Sequence, residues 1–158
     1  MTWEDLKTNL YFEDGSFRDI YILNTDIDDW AKWIDYVNEH HKVEFIINDG
    51  TTSNTIIKEK VLPFIKDRNK VEYTPSAFIY LGKVMVNIYF FMEQEIDNDI
   101  SPKEFTSIEN HNALMSYLTD ISIILNKKVL ITQEMRSNEP LLEVDGNEIR
   151  IIRHPDFN

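Results

Sequence analysis

The sequence contains no cysteine. Disulfides, thiolate nucleophiles, and zinc or iron–sulfur sites built on cysteine are therefore excluded. Long apolar runs are also missing, since none approaches the roughly 20 residues that a membrane span requires. The acidic start from Met1 to Asp5 lacks the basic and apolar regions of a signal peptide. Together these features predict a cytoplasmic protein that is neither exported nor embedded in a membrane.

Glycine is scarce, with four residues in 158, and each glycine lies at or beside a predicted turn or strand end. None is left for a phosphate-binding loop, and neither the Walker pattern nor the dinucleotide fingerprint occurs. The Gly-x-Ser-x-Gly elbow of serine hydrolases is missing as well. Nucleotide binding of those types is excluded, and no cofactor is predicted.

Histidine is equally scarce, with four residues in the chain. His40, His41, His111 and His154 contain no pair at the i, i+4 spacing of a metalloprotease helix, and the His-Glu-x-x-His motif is missing. We expect His40 and His41 to interact with carbonyl groups at a helix end. We expect His111 to lie in the first turns of a helix.

The chain is acidic, with 28 Asp and Glu residues against 16 Lys and Arg residues and a formal net charge of −12. A negative field opposes each contact to a phosphate, so nucleic acid is not a predicted partner. The predicted partner is a protein with a basic surface, and the alternative is that the charge serves solubility alone. Residues 58–70 differ, with a net charge of +3, and form either a local anion site or a solvated helix face.

The most hydrophobic segment is Pro75–Met92, where two apolar runs rich in aromatic and β-branched residues flank Gly82-Lys83. This pattern predicts a β-hairpin that forms part of the core. Asp-Gly pairs favour tight hairpin turns, and Asp14-Gly15 and Asp145-Gly146 each lie between two predicted strands. They predict a second hairpin with strands at 10–12 and 17–23, and a third hairpin across residues 141–152.

Two long helices are predicted from apolar residues that recur at helical spacing. One spans about residues 26–41, with its cap within Asn24-Thr25-Asp26, and the other spans about residues 107–125. Pro63 divides a shorter helical segment at 54–68. A polar connection is expected at 93–104. Single strands follow the two long helices, at residues 43–47 and 129–132.

These elements predict an α+β fold, with a largely antiparallel sheet built from hairpins and the two main helices packed on one side. The chain length fits a single domain over residues 1–158. Residues 10–47 and 77–132 each predict a hairpin, a helix and a strand in that order, which indicates an internal repeat of a ββαβ unit. Chance similarity between two amphipathic units is the alternative.

Four acids alternate directly after the Pro75–Met92 hairpin: Glu93, Glu95, Asp97 and Asp99. In an extended chain they stand on one face, and we predict that this acidic row contacts a basic protein surface. The first alternative is a site for a divalent cation such as calcium, which binds clustered carboxylates, although the glycine and glutamate spacing of an EF-hand is missing. The second is a solvated connection.

A second predicted contact surface lies at the start of the first long helix. Trp30 and Trp33 are three residues apart and approach a shared face, with Asp28 and Asp29 beside them. Aromatic anchors beside acids are typical of protein-binding surfaces. The pattern predicts that Asp28, Asp29 and Trp33 contact a partner. In the alternative, both tryptophans pack in the core.

The segment from Asp14 to Thr25, followed by Asp29-Trp30, resembles an uncharacterised family of small bacterial proteins. That family carries a Gly-Ser-x-Arg-Asp-Ile-Tyr strand and an Asp-Trp pair at the next helix start. The match covers residues 14–37 and implies a bacterial source but no activity or site residue. Arg18 and Asp19 face opposite sides of this strand, so one charge is directed inward and needs a partner.

In its acidity, its size and its lack of cysteine, the chain is similar at the level of class to immunity proteins of bacterial toxin systems. We therefore predict a non-enzymatic, immunity-like interaction module that binds a basic protein. The first alternative is a small-ligand or divalent-cation-dependent enzyme or binding domain that uses the clustered carboxylates. The second is a structural subunit that forms a homodimer through a sheet edge.

Overall fold

The structure is a computed structural model that describes residues 1–152. Within this part of the chain the helices are α1 (Trp3–Asn9), α2 (Ile27–His40), α3 (Lys58–Lys66) and α4 (Ile108–Leu125). The strands in the same range are β1 (Arg18–Leu23), β2 (Lys42–Ile47), β3 (Thr52–Ser53), β4 (Pro75–Leu81), β5 (Val84–Met92), β6 (Glu95–Ile100), β7 (Val129–Gln133), β8 (Pro140–Asp145) and β9 (Glu148–Ile151). His154 lies outside the described residues.

These strands form one sheet in the order β3-β2-β4-β5-β6-β1-β7-β8-β9. Every neighbouring pair is antiparallel. Hairpins build β4-β5-β6 on one side and β7-β8-β9 on the other, because each of these strands pairs with the next one in the chain. Strand β1 lies between β6 and β7 and pairs with both. The predicted α+β class with an antiparallel sheet is confirmed.

Local sequence signals account for the helix starts. Thr2 and Asp26 each form a capping box, in which the cap side chain accepts a backbone N–H and an aspartate three residues later accepts one in return. Helix α4 ends at Asn126, which adopts a left-handed conformation with φ of +51°. Asparagine tolerates that conformation better than most residues, so it terminates the helix here.

The helices pack on one face of the sheet. Trp30 and Trp33 of α2 and Tyr117 of α4 are at most 1% exposed. The Tyr117 hydroxyl donates to the Asn98 side chain of β6 at 2.6 Å, and the Trp30 indole N–H donates to the Met92 carbonyl at 3.0 Å. Alternate residues of the central strands join this core, and the residues between them form the opposite face, here called the open face. No helix within residues 1–152 is long and apolar enough to cross a bilayer.

The predicted strand at 10–12 is wrong, because these residues form no strand. The buried Arg18 side chain takes up backbone carbonyls that a ladder would have used: its guanidinium donates to the Leu10 carbonyl at 2.9 Å and to the Phe12 carbonyl. It also pairs with Asp14 at 3.2 Å. Arg18 is therefore the inward charge of β1. It holds the segment before the strand against the core.

Two connections also differ from expectation. Residues 93–104 contain β6, a central strand, where a polar connection was predicted. Helix α3 continues through Pro63, and a short 3₁₀ helix follows at Arg68–Lys70, so the 54–68 segment is one helix and a turn. The internal repeat stays a prediction: 10–47 contributes one strand before its helix, and 77–132 contributes three.

Arg18→Met should lower the free energy of unfolding by about 3 kcal/mol, since it leaves the Leu10 and Phe12 carbonyls without this donor and removes the ion pair with Asp14. Urea unfolding followed by circular dichroism would measure the change. Arg136→Met is the control, because the Arg136 guanidinium is 58% exposed and pairs with Glu139 at the surface. The control should lose less than about 0.5 kcal/mol. Equal losses in both variants would contradict a structural role for Arg18.

Candidate functional site

Polar side chains form two rows across the open face, over the four central strands β5, β6, β1 and β7. In the first row Asn87 lies opposite Asp99, which lies opposite Asp19, which lies opposite Thr132. In the second row Tyr89 lies opposite Asp97, which lies opposite Tyr21. Directly opposed side chains in antiparallel strands lie close together. The sheet register therefore concentrates carboxyl groups from β6 and β1.

Asp99 is the most enclosed acid of the first row, with 7% of its surface exposed. Its carboxylate accepts from the Asn87 amide at 2.6 Å and from the Tyr89 hydroxyl at 2.9 Å. Burial raises the pKa of Asp99, and the negative charges of Asp19 and Glu134 act in the same direction. The two hydrogen bonds favour the charged form and oppose that rise.

Asp97 occupies the centre of the second row. Burial, a hydrogen bond with Glu95, and the charges of Glu95 and Asp19 raise the pKa of Asp97 to about 8. Its Oδ1 atom is shielded from solvent and has no hydrogen-bond partner among the described residues. Asp97 therefore carries a proton at neutral pH, because a second unpaired negative charge beside Glu95 is costly.

Asp19 connects the rows to the loop after β7. Its Oδ2 atom accepts from the Tyr21 hydroxyl at 3.0 Å and from the Met135 backbone N–H at 2.7 Å. Met135 has a φ of +62° and is 86% exposed. A left-handed conformation is unfavourable for methionine, and the bond to Asp19 helps to hold it. This contact places Glu134 and Ser137 at the margin of the two rows.

Tyr21, Tyr89 and the acids of both rows line a concave pocket with a volume of about 460 Å³, here called the acidic groove. Among the described residues that line it, none is a lysine, an arginine or a histidine. The two phenols keep their protons, because burial and neighbouring carboxylates raise the pKa of Tyr21 and of Tyr89. The titratable residues of the groove are Asp19, Tyr21, Tyr89, Glu95, Asp97, Asp99 and Glu134.

The structure brings together three of the four acids in the predicted row. Glu95, Asp97 and Asp99 share the open face of β6 and line the groove. Glu93 lies in the turn before β6, and it is not among the residues that line the groove. The row exists because residues 95–100 form strand β6, where the sequence predicted a polar connection.

The predicted contact surface at the start of α2 differs more from the structure. Trp33 is 1% exposed, and its indole N–H approaches the Tyr117 hydroxyl at 3.3 Å, so it packs in the core and cannot anchor a partner. Asp29 completes the capping box of α2 and lies 3.8 Å from the Lys127 ammonium. Asp28 is exposed on the same helix turn. Both tryptophans pack in the core, as the alternative interpretation predicted.

Several groove residues were not predicted as site residues. Asp19 and Tyr21 stand on one face of β1, a pattern visible in the sequence, but their approach to β6 depends on pairing between strands about 80 residues apart. Tyr89 belongs to the core hairpin, where it alternates with buried residues. Glu134 reaches the groove only through the loop after β7.

The metal alternative requires carboxylate or imidazole groups that converge on one point. Within residues 1–152, no three His, Asp or Glu side chains are arranged to hold a metal ion. His111 is buried, and its Nδ1 atom shares a hydrogen bond of 2.7 Å with the Tyr11 hydroxyl. Burial lowers the pKa of His111 to about 4. This histidine is a neutral structural residue that joins α4 to the segment before β1.

No protein-family model, curated protein or solved structure matches this chain. The resemblance of residues 14–37 to a bacterial family therefore stays a prediction.

Asp97→Asn should raise the melting temperature near pH 8 and flatten its dependence on pH. The pKa of Asp97 is about 8 in the folded chain and about 3.9 in an unfolded one. Between these values the folded state keeps a proton that the unfolded chain releases, so stability falls as pH rises from about 4 to about 8. Asparagine cannot bind this proton, so the variant should lose this part of the pH dependence. Thermal melts over that range would measure the slope.

Glu72→Gln serves as the control for this experiment, since Glu72 is an exposed acid outside the groove. It should keep the slope of the parent protein. If Asp97→Asn kept that slope as well, the protonated Asp97 side chain would be ruled out.

Proposed function

We propose that this protein is a non-enzymatic interaction module whose acidic groove binds lysine or arginine side chains of a basic protein partner. The observation that carries the proposal is the convergence of five carboxyl groups, from Asp19, Glu95, Asp97, Asp99 and Glu134, on one concave surface. The residues described in that surface supply no cation to balance them. A positive group from a partner would complete the charge pairing.

The unfavourable state of Asp97 supports this proposal. A carboxyl group that holds its proton at neutral pH has an environment that penalises a further negative charge. A guanidinium or ammonium group near Glu95 would remove that penalty and lower the pKa of Asp97. Binding of a cation should therefore release a proton. Planar guanidinium groups also suit paired carboxylate oxygens, because they donate two parallel hydrogen bonds.

The aromatic residues of the groove support a cationic ligand as well. Tyr21 and Tyr89 line the groove beside the acids, and Tyr89 stacks on Phe91 with ring centroids 5.1 Å apart. Aromatic faces attract cations through the ring quadrupole. An arginine side chain would thus meet carboxylates and aromatic rings in the same place.

A protein is favoured over a free small cation because apolar side chains surround the groove on the open face. Leu23, Phe91 and Met135 are 36%, 47% and 86% exposed. Exposed apolar side chains beside charged ones are typical of protein-binding surfaces. An immunity-like role would be one case of such binding, and it depends on the class-level similarity of the sequence alone.

The proposal predicts that a peptide of alternating arginine and glycine binds the groove. In an NMR titration, amide shifts should be largest on β5, β6 and β1 and should diminish as salt is added. Glu95→Gln combined with Glu134→Gln should weaken binding about tenfold, because two charge contacts are lost.

The matched control removes the same charge from helix α2, by Asp28→Asn combined with Asp35→Asn. Both side chains are exposed, and this pair should weaken binding by less than about twofold. Equal losses in the two double variants would mean that the peptide responds only to net charge. That result, or shifts centred on α2, would overturn the proposed site.

A further inference from the structure

A second cavity, of about 390 Å³, lies between the ends of β4 and β5 and the end of helix α3. Its origin is visible in the strand pairing. The ladder between β4 and β5 ends at Ala77 and Ile88, although β4 begins at Pro75 and β5 runs to Met92. Pro75 has no N–H to continue the ladder. The strands therefore leave a gap, and the cavity occupies it.

The pairing of β5 with β6, on the other side of β5, is also irregular beside this cavity. Between Tyr89 and Met92 the pairing of β5 with β6 shifts, as expected at a bulge. A bulge bends its strand and increases the local twist. Phe64 from α3 and Arg68 from the following 3₁₀ helix line the cavity on the helix side.

The lining of this cavity is mainly apolar. Five rings contribute to it, and a cavity of a few hundred cubic ångströms with an apolar wall and few polar groups is typical of a small-molecule site. Flat aromatic ligands suit such walls, because offset-stacked and edge-to-face ring pairs are favourable. The rings belong to Phe64, Phe78, Tyr89, Phe90 and Phe91.

Arg68 gives the cavity its charge. Its guanidinium donates to the Phe91 carbonyl and lies 5.5 Å from the centroid of the Phe64 ring, so the charge is held at the cavity wall. A guanidinium has five N–H donors, and most remain available for a carboxylate. Thr74 and Ser76 also line the cavity, and their hydroxyl groups make no hydrogen bond to another described residue.

The sequence on the helix side of this cavity favours an anion. Residues 58–70 have a net charge of +3 in a chain of net charge −12. Local positive charge raises the concentration of anions near the cavity. The sequence left open whether this segment is an anion site or a solvated helix face, and the cavity beside Arg68 favours the first interpretation.

We infer that this cavity binds a small aromatic carboxylate. The ring system packs among the aromatic side chains, and the carboxylate pairs with Arg68 and accepts from the hydroxyl groups of Thr74 and Ser76. This site lies beside the acidic groove and does not depend on the proposed function. The two share Tyr89 and Phe91 as a common wall.

The inference can be tested with 2-naphthoate and its neutral analogue 2-naphthamide. Calorimetry on the full chain should show saturable binding of 2-naphthoate, and NMR should place it at the ends of β4 and β5. Arg68→Gln should weaken 2-naphthoate binding about tenfold, because a charge-assisted hydrogen bond is lost. The same variant should leave 2-naphthamide binding almost unchanged.

Lys70→Gln is the matched control, since it removes one positive charge from the same segment but Lys70 does not line the cavity. It should weaken 2-naphthoate binding by less than about twofold. Circular dichroism would verify that both variants remain folded. Equal losses in the two variants, equal affinity of the parent for both ligands, or no saturable binding would each overturn the inference.

Discussion

The pairing of β1 with both β6 and β7 is the constraint on which the rest of the structure depends. The other strands form two groups, β3-β2-β4-β5-β6 and β7-β8-β9, and β1 joins them into one sheet. Its alternation directs Arg18 and Ile20 toward the helices, and Asp19 and Tyr21 toward the open face. One strand therefore supplies a buried cation that organises the preceding segment and an acid that completes a surface groove.

The groove illustrates how a folded protein accommodates carboxyl groups of like charge. Asp99 receives two side-chain hydrogen bonds, Asp19 receives one from a hydroxyl and one from the backbone, and Asp97 keeps a proton. Hydrogen bonds stabilise the charged form, whereas burial beside another acid stabilises the neutral form. The arrangement is tolerated at some cost in stability, and a cationic partner would relieve that cost.

Charge is divided between two neighbouring cavities. The acidic groove lies over β5, β6 and β1, and the aromatic cavity lies at the ends of β4 and β5 beside Arg68. Tyr89 and Phe91, stacked on each other, line both. The groove suits a positive group and the cavity suits a negative one, so the overall charge of the chain describes neither site.

Local sequence alone determined the elements whose interactions lie within a few residues: the capping boxes at Thr2 and Asp26, the turn at Gly82-Lys83, the Asp145-Gly146 turn and the apolar periodicity of α2 and α4. It also determined that Arg18 and Asp19 lie on opposite faces and that Glu95, Asp97 and Asp99 align if the chain is extended.

Only the tertiary structure decided that Asp97 and Asp99 lie in a central strand, that carbonyl groups of residues 10–12 accept hydrogen bonds from Arg18, and that Trp33 is buried in the core. Such outcomes depend on partners far apart in the chain. A residue's own propensity cannot specify them, because burial and strand pairing outweigh it.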